Sequence, residues 1–292
     1  MNKSIYLLFA PILIYFIIFN YLPMFGLVMA FQDFNATKGF FGSTFVGFQN
    51  FIDFFSNPSF LPILRNTLAI SLLGLFVGMP LSIMFALLLN EIHIEKFKKT
   101  VQTISYLPYF VSTVVIAGLV IEFVSSNGII TNLLVDVFGI KRQNLLTNPS
   151  YFWAINLLTD VWQGMGYGAI IFIAAITSVS SEHHEAAAID GANRLQRVIH
   201  VTLPAIRPTI VTMLVLRLGL IMTVGFDKIL LLYNPSIYST ADVISTHVMR
   251  MGIGKAQYGY SAAAGLFNSV VGTVLLILSN AVSRKLADTS VY

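Results

Sequence analysis

The chain contains no cysteine and unusually few charged residues. Among its 292 residues, Asp, Glu, Lys and Arg together account for only 10%. The absence of cysteine excludes disulfide bonds, thiolate metal sites, iron–sulfur clusters and cysteine nucleophiles. Soluble domains carry about 25% charged residues, and so few charges cannot cover a soluble surface of this size. The composition therefore excludes an ordinary cytosolic enzyme, a disordered protein and a basic domain that binds nucleic acid.

Long apolar stretches fill the chain instead, since 56% of the residues are hydrophobic. A helix that crosses a bilayer needs about 20 mostly apolar residues, whereas strands of a membrane barrel have about 10 residues of alternating polarity. Six stretches are long enough and apolar on all sides: 5–31, 64–90, 104–124, 151–177, 209–233 and 258–283. The sequence predicts an all-α membrane protein with six transmembrane helices, forming a single transmembrane domain over residues 1–292.

The charges between these stretches predict the orientation in the membrane. Cytoplasmic loops of membrane proteins carry an excess of Lys and Arg. If both termini lie inside, the inner segments carry more Lys and Arg than the outer segments. We therefore expect both termini to be cytoplasmic.

The inner loop between the fourth and fifth stretches, residues 178–208, has the features of folded structure. Ser180 or Ser181 is placed to cap a helix, and acidic residues follow in its first turn, where they suit the helix dipole. Gly191 lies where that helix is expected to end.

A second short helix is expected over 192–201, and Pro204 and Pro208 are expected to stop it before the fifth stretch. Two short helices with a tight bend on the inner face have the shape of a docking element.

The same loop resembles a known family. Glu185-Ala186-Ala187, Gly191 and Leu203-Pro204 match, at every spacing, the EAA signature of permease subunits of binding-protein-dependent ABC importers. Val201 stands where Ile is commoner. Residues 225–238 and 261–272 are similar to oligosaccharide and polysaccharide permeases related to the first maltose-permease subunit. The resemblance covers an ABC-permease core of roughly residues 60–290.

The resemblance implies the transmembrane fold of a type I ABC importer in a bacterial cytoplasmic membrane. It implies that loop 178–208 couples this chain to a separate ATPase, through Glu185, Ala186, Ala187, Asp190, Gly191, Leu203 and Pro204. ATP and Mg²⁺ would be bound by that ATPase, because this chain has no phosphate-binding loop of its own. The chain itself is expected to bind no cofactor and to be no enzyme.

The partners implied are a second homologous permease, two ATPase subunits on the cytoplasmic face and an external solute-binding protein that delivers an oligosaccharide. No nucleic-acid partner and no metal site are expected.

Polar side chains within the predicted spans are candidates for the substrate pathway, because ionisable residues at membrane depth usually face a cavity or a partner. The candidates are Asn156, Asp160, Gln163, Tyr167, Arg217, Asp227 and Asn268. The first four recur at helical spacing and line one face of the fourth span.

Arg217 has two interpretations. With about 1.5 Å of rise per residue, Asp160 and Arg217 lie at similar depths, so they are expected to form an ion pair that fixes the helix register. Arg217 would otherwise face the substrate, and an acidic oligosaccharide would suit Arg217 or Lys228. Arg217 and Lys228 are eleven residues apart and share a face of the fifth span if that span is one helix. Asp227 and Lys228 lie near the outer end of the span, where an interfacial position is also consistent with their charge.

Two alternatives remain open from the residues. An ion-coupled secondary transporter would use Asp160 or Glu122 as its proton carrier. An ABC permease for another solute class would share the loop but bind a different substrate. The adjacent His183 and His184 do not form a metalloprotease motif, and are expected to be solvated loop residues.

Overall fold

The computed structural model describes residues 3–287, with side chains described for residues 6–281 and for residue 284. The regular secondary structure of the described residues is helical apart from one pair of short strands. Strand β1 (Gln32–Asp33) pairs antiparallel with β2 (Thr44–Phe45), with Gln32 opposite Phe45. The prediction of an all-α fold is confirmed. The extreme ends, whose predicted position is cytoplasmic, lie outside the described residues, as do residues 288–290 of the predicted permease core.

The helices are numbered along the chain, and short π or 3-10 turns extend several of them. They are α1 (Lys3–Phe16), α2 (Gly39–Gly42), α3 (Gln49–Ser56), α4 (Phe60–Leu73), α5 (Met79–Asn90), α6 (Glu95–Tyr106), α7 (Thr113–Phe123), α8 (Ile129–Phe138), α9 (Pro149–Thr177), α10 (Ser181–Ile189), α11 (Arg194–Arg197), α12 (Leu203–Ala205), α13 (Arg207–Gly219), α14 (Phe226–Leu232), α15 (Tyr238–Ala241), α16 (Ile244–Gly252) and α17 (Tyr258–Ala287).

The described residues contain four to six candidate membrane spans, against the six predicted. Within the described residues, four continuous helical stretches are long and apolar enough to cross a bilayer: Tyr6–Phe31, Phe60–Asn90, Pro149–Thr177 and Tyr258–Ala281. Two bent pairs complete the set if each counts as one span. Glu95–Phe110 meets Thr113–Phe123 at 99°, and Arg194–Ala205 meets Arg207–Gly219 at 61°.

The third predicted span, 104–124, is therefore not one straight helix. A 3-10 turn at Leu107–Phe110 contains Pro108 and ends α6, and Val111 is extended. Ser112 then caps α7, because its Oγ accepts a hydrogen bond from the Val115 N–H at 3.4 Å. A proline that cannot donate and a serine that caps a new helix explain the break.

The fifth predicted span, 209–233, is also wrong as a single helix. Helix α13 ends at Gly219, and α14 begins only at Phe226. Gly219 packs so closely that a Cβ there would lie 2.6 Å from Cδ1 of Leu276. The turn that follows is closed by the Thr223 N–H, which donates to the carbonyl of Leu220 at 2.9 Å. Residues 217 and 228 consequently do not share a helical face.

Contacts divide the chain into two units, which we describe separately. The larger unit comprises residues 62–243 and the chain from 271 onward. One of its apolar cores surrounds Phe152, and another surrounds Ala169 where α5 packs on α9. Between helices in a bilayer such cores stabilise the fold through van der Waals packing, because lipid tails are as apolar as the side chains.

The smaller unit comprises residues 1–61 and 244–270. Its core is a cluster of aromatic rings in which Phe54 contacts Phe60, Tyr260 and Phe267, with ring centroids 5.1–5.8 Å apart. Aromatic pairs at such distances stabilise a core beyond their area burial.

Candidate functional site

Helix α10 is capped at both ends by residues of its own loop. The Ser180 Oγ accepts from the backbone N–H of Glu182 at 3.2 Å, as the sequence predicted. At the other end, the N–H of Ala192 donates to the carbonyl of Ala187 at 2.9 Å, with Gly191 at φ +81°. This is the conformation that favours glycine at a helix end. The predicted tight bend at Gly191 is confirmed.

The second helix of the loop starts and ends later than predicted. It begins at Arg194 with a capping box, in which Asn193 and Gln196 exchange hydrogen bonds of 2.8 and 2.9 Å. It then continues through Pro204 to Ala205, so Pro204 does not stop it. The turn before this proline is a π turn over Val198–Thr202. We attribute the tolerance to this wider turn, which relieves the clash of a proline ring with the preceding carbonyls.

The loop presents a surface with little core of its own. Helix α10 has no buried residue, and Glu185, Ala186, Asp190, Gly191 and Pro204 are exposed, while Ala187 and Leu203 are half-buried. Ile189 is 87% exposed. A cleft of about 300 Å³ lies between the two helices, lined in part by Ala187, Gly191 and Gln196. An apolar side chain so exposed beside small residues is suited to contact a partner. The roles of the seven predicted coupling residues remain predictions.

A cavity of about 500 Å³ opens between α4, α5, α9 and α13 in the larger unit. Its lining combines small residues with a few polar ones: Ser71, Gly74, Gly78, Ser82, Asp160, Gly164 and Arg217 contribute to it. Beyond the neighbouring residues and backbone of its own helix, a Cβ at Gly74, Gly78 or Gly164 would meet no described atom within 4 Å. Small residues therefore leave space here and do not bring two helices of this chain into close contact.

Asp160 forms an ion pair with Lys228, and the predicted pairing with Arg217 is wrong. The Lys228 ammonium binds the Asp160 carboxylate, and it also lies 3.4 Å from the carbonyl of Asn156. Asn156 donates from Nδ2 to the other Asp160 oxygen at 3.1 Å. The Lys228 side chain is 6% exposed and that of Asp160 is 49% exposed. Lys228 is therefore buried rather than interfacial.

Arg217 lines the same cavity as Asp160, on an exposed position at the end of α13. Among the described residues that line the cavity, Arg217 is the only cation. Since Asp160 already neutralises Lys228, a negatively charged ligand in the cavity would meet Arg217 as its available counter-charge.

The other pathway candidates are distributed over different surroundings. Gln163 lies 3.5 Å from the carbonyl of Val111, and Tyr167 stacks on Tyr109 with ring centroids 3.7 Å apart. Both therefore contact the break between α6 and α7. Asp227 is exposed in the first turn of α14. Asn268 belongs to the smaller unit, where its Oδ1 is buried without a hydrogen-bond partner in the described structure.

Glu122, the alternative proton carrier, is exposed near the end of α7. No group of three or more His, Cys, Asp or Glu residues that could hold a metal ion occurs in the described part of the chain.

Comparisons with known proteins find a family and several relatives that match most of the chain. The family model described as binding-protein-dependent transport system inner membrane component matches residues 78–288. Protein LplB of Bacillus subtilis is 40% identical over 292 residues, covering 100% of this chain and 92% of that protein. The polygalacturonan/rhamnogalacturonan transport system permease protein YteP of Bacillus subtilis is 39% identical over 291 residues, covering 100% of this chain and 91% of that protein.

A solved structure is similar over nearly the whole chain. It is a chain of a bacterial alginate ABC transporter in complex with a periplasmic protein bound to an alginate pentasaccharide. The similarity has a TM-score of 0.90 at 42% identity, and covers 99% of this chain and 96% of that one.

Proposed function

The chain belongs to the family of binding-protein-dependent transport system inner membrane components, and from this premise we propose that it is the permease subunit of an ATP-driven importer of acidic oligosaccharides. The cavity of about 500 Å³ with Arg217 on its wall carries the proposal. Relatives support the substrate class, since their names refer to polygalacturonan and to the acidic polysaccharide alginate.

The lining of the cavity suits a uronic-acid sugar. The guanidinium of Arg217 can form two parallel hydrogen bonds with a carboxylate. The hydroxyls of Ser71 and Ser82 donate to the carbonyls of Ile221 and Gly78, which leaves their oxygens able to accept from sugar hydroxyls. The glycines leave room for a pyranose ring against the backbone.

The Lys228–Asp160 pair sets the charge of the cavity wall. Lys228 is buried and is not among the described residues that line the cavity, and it engages the Asp160 carboxylate, so Arg217 is left as the unpaired charge on the wall. One unpaired cation favours entry of a carboxylate, yet it holds the sugar less tightly than two would, which suits a site that must also release its substrate.

The exposed docking loop is an argument for a partner subunit that supplies the energy for transport. Helices α10 and α11 fold on their own caps and expose Ile189, so they are suited to dock on an ATPase subunit that binds ATP and Mg²⁺. Motion of that ATPase would reach α13 through Leu203 and Pro204. The full assembly would comprise this chain, a second homologous permease, two ATPase subunits and an extracytoplasmic solute-binding protein, with both termini of this chain cytoplasmic.

Uptake of matched acidic and neutral oligosaccharides tests the substrate class. The transporter, purified with its cognate partners and placed in proteoliposomes, is supplied with an oligogalacturonide or with its methyl ester, which has no charge. Because a hydrogen bond to a charged group contributes about 1.5–3 kcal/mol, Arg217→Gln is expected to reduce uptake of the acidic form about tenfold and to leave uptake of the ester unchanged. Lys141→Gln, which removes an exposed cation outside the cavity, is the matched control.

The results separate the substrate class from the transport function. Equal losses for the acidic and neutral forms would contradict a charge-recognising role of Arg217. ATP-driven uptake of neutral oligosaccharides alone would contradict the acidic substrate class while supporting the importer.

A further inference from the structure

A second pocket lies at the cytoplasmic end predicted for α5, where it meets the docking loop. Its volume is about 250 Å³, and it shares no lining residue with the cavity around Arg217. Its lining includes Asn90 and Thr202 and five charged or titratable residues: Glu91 and His93 after α5, His184 on α10, and Arg194 and Arg197 on α11. We name these five residues the basic pocket. The sequence predicted His184 to be a solvated loop residue, whereas it is half-buried in this pocket.

The basic pocket has more positive than negative groups. Two arginines and a single glutamate line it, before any charge on the two histidines is counted. Among the described residues, ion pairs join Lys99 with Glu95 and Lys228 with Asp160, and none involves Arg194, Arg197 or Glu91.

One donor of Arg197 has no acceptor among the described residues. Its Nε atom is buried and has no hydrogen-bond partner within the described structure. A buried charged donor without an acceptor is costly, and arginine nitrogens in proteins are normally satisfied. An anion bound in the pocket would supply the acceptor.

We propose that the basic pocket binds a phosphate group, carried either by a soluble phosphorylated metabolite or by a phospholipid headgroup. Planar guanidiniums bind phosphate with two parallel hydrogen bonds, and the ring N–H groups of His93 and His184 add donors. Both sources are available to a pocket at a cytoplasmic membrane surface.

A bound phosphate would join two parts of the chain that differ in role. It would link the end of α5 to α10 and α11, which carry the docking loop. Such a link would restrain the loop and slow the coupling of ATP hydrolysis to transport. This regulatory consequence rests on the proposed function, whereas the binding itself does not.

Binding is measured on the purified transporter in nanodiscs of phosphatidylcholine, at constant ionic strength. Inorganic phosphate and a hexose phosphate are titrated and followed by calorimetry, with sulfate and chloride as reference anions. In the second arm, the nanodiscs contain phosphatidic acid, and the affinity for hexose phosphate is measured again.

Charge variants give opposite expected effects. Arg197→Gln is expected to weaken phosphate binding about tenfold or more, whereas Glu91→Gln is expected to tighten it several-fold because it removes the repelling carboxylate. Lys96→Gln, which removes an exposed cation on α6 outside the pocket, is the matched control and is expected to change nothing. Glu91→Gln also guards against misfolding, since a damaged protein would not bind more tightly.

Each outcome decides the proposal. Saturable binding of hexose phosphate that depends on Arg197 and is unchanged by phosphatidic acid supports a soluble ligand. Binding lost only in the presence of phosphatidic acid, again dependent on Arg197, supports a lipid headgroup. The absence of Arg197-dependent binding in both arms overturns the proposal. Binding that occurs only after the ATPase is removed also overturns it, because a carboxylate side chain of the partner would then be the natural occupant.

Discussion

Replacing Asp160 with asparagine leaves the Lys228 ammonium buried without its counter-ion. The side chains of the two residues are 6% exposed at Lys228 and 49% exposed at Asp160. Removing one partner of a fully buried pair costs about 3–5 kcal/mol, and exposed pairs contribute about 0.2–1 kcal/mol. Because water reaches Asp160, we expect Asp160→Asn to lower the free energy of unfolding by about 2 kcal/mol, between these limits.

The variant Lys228→Met distinguishes a charge effect from a packing effect. Methionine has a similar length, and Asp160 without its partner stays solvated, so we expect a loss below about 1 kcal/mol. The double variant Asp160→Asn/Lys228→Met is expected to be more stable than Asp160→Asn alone. The coupling energy of this cycle is expected to be about 1.5 kcal/mol.

Unfolding in mixed detergent micelles, followed by circular dichroism, measures these free energies. The cycle of Asp160→Asn with Arg217→Met is the control, since Arg217 lines the same cavity without pairing to Asp160. Coupling to Lys228 below about 0.3 kcal/mol, or equal coupling to Arg217, would refute the assigned ion pair.

Three further predictions concern the docking loop and the helix packing. Gly191→Val places a branched side chain at φ +81°, so we expect strain of about 1–3 kcal/mol and loss of coupled ATP hydrolysis with normal membrane insertion; unchanged coupling in an ATPase assay would contradict this. Ile189→Ser removes an 87% exposed side chain, and is expected to weaken ATPase binding several-fold in a pull-down while leaving the melting temperature unchanged, whereas equal capture would exclude the contact. Gly166→Ala would place a Cβ 2.2 Å from the carbonyl oxygen of Ser105 and is expected to lower the free energy of unfolding by about 2 kcal/mol. Gly164→Ala, whose Cβ would meet no neighbouring helix within 4 Å, is its control, and equal melting temperatures of the two variants would contradict the close contact at Gly166.

Local signals in the sequence predicted the docking loop well. The Ser180 cap and the bend at Gly191 depend on residues only a few positions apart, so neighbouring side chains and backbone preferences determine them. The second helix starts at Arg194 rather than Ala192, because Asn193 and Gln196 form a capping box that fixes its first turn.

Contacts between distant residues account for the errors. Gly219 ends α13 against Leu276, and hydropathy does not reveal a break of this kind. The depth calculation that paired Asp160 with Arg217 assumed an unbroken helix. Once the helix ends at Gly219, the chain turns and brings Lys228 to Asp160 instead. Exposed Ile189 was missed because an apolar residue on a short helix looks the same in sequence whether it faces a core or a partner.

ATP-dependent uptake is the most direct test of the central claim. The transporter, purified with its ATPase and second permease, is reconstituted with ATP inside or outside the vesicles and with or without the solute-binding protein. We expect oligosaccharide uptake only when the ATPase side has ATP and the opposite side has the binding protein, and no effect of a proton uncoupler. Uptake by this chain alone, without ATP and abolished by the uncoupler, would contradict the account and favour a secondary transporter.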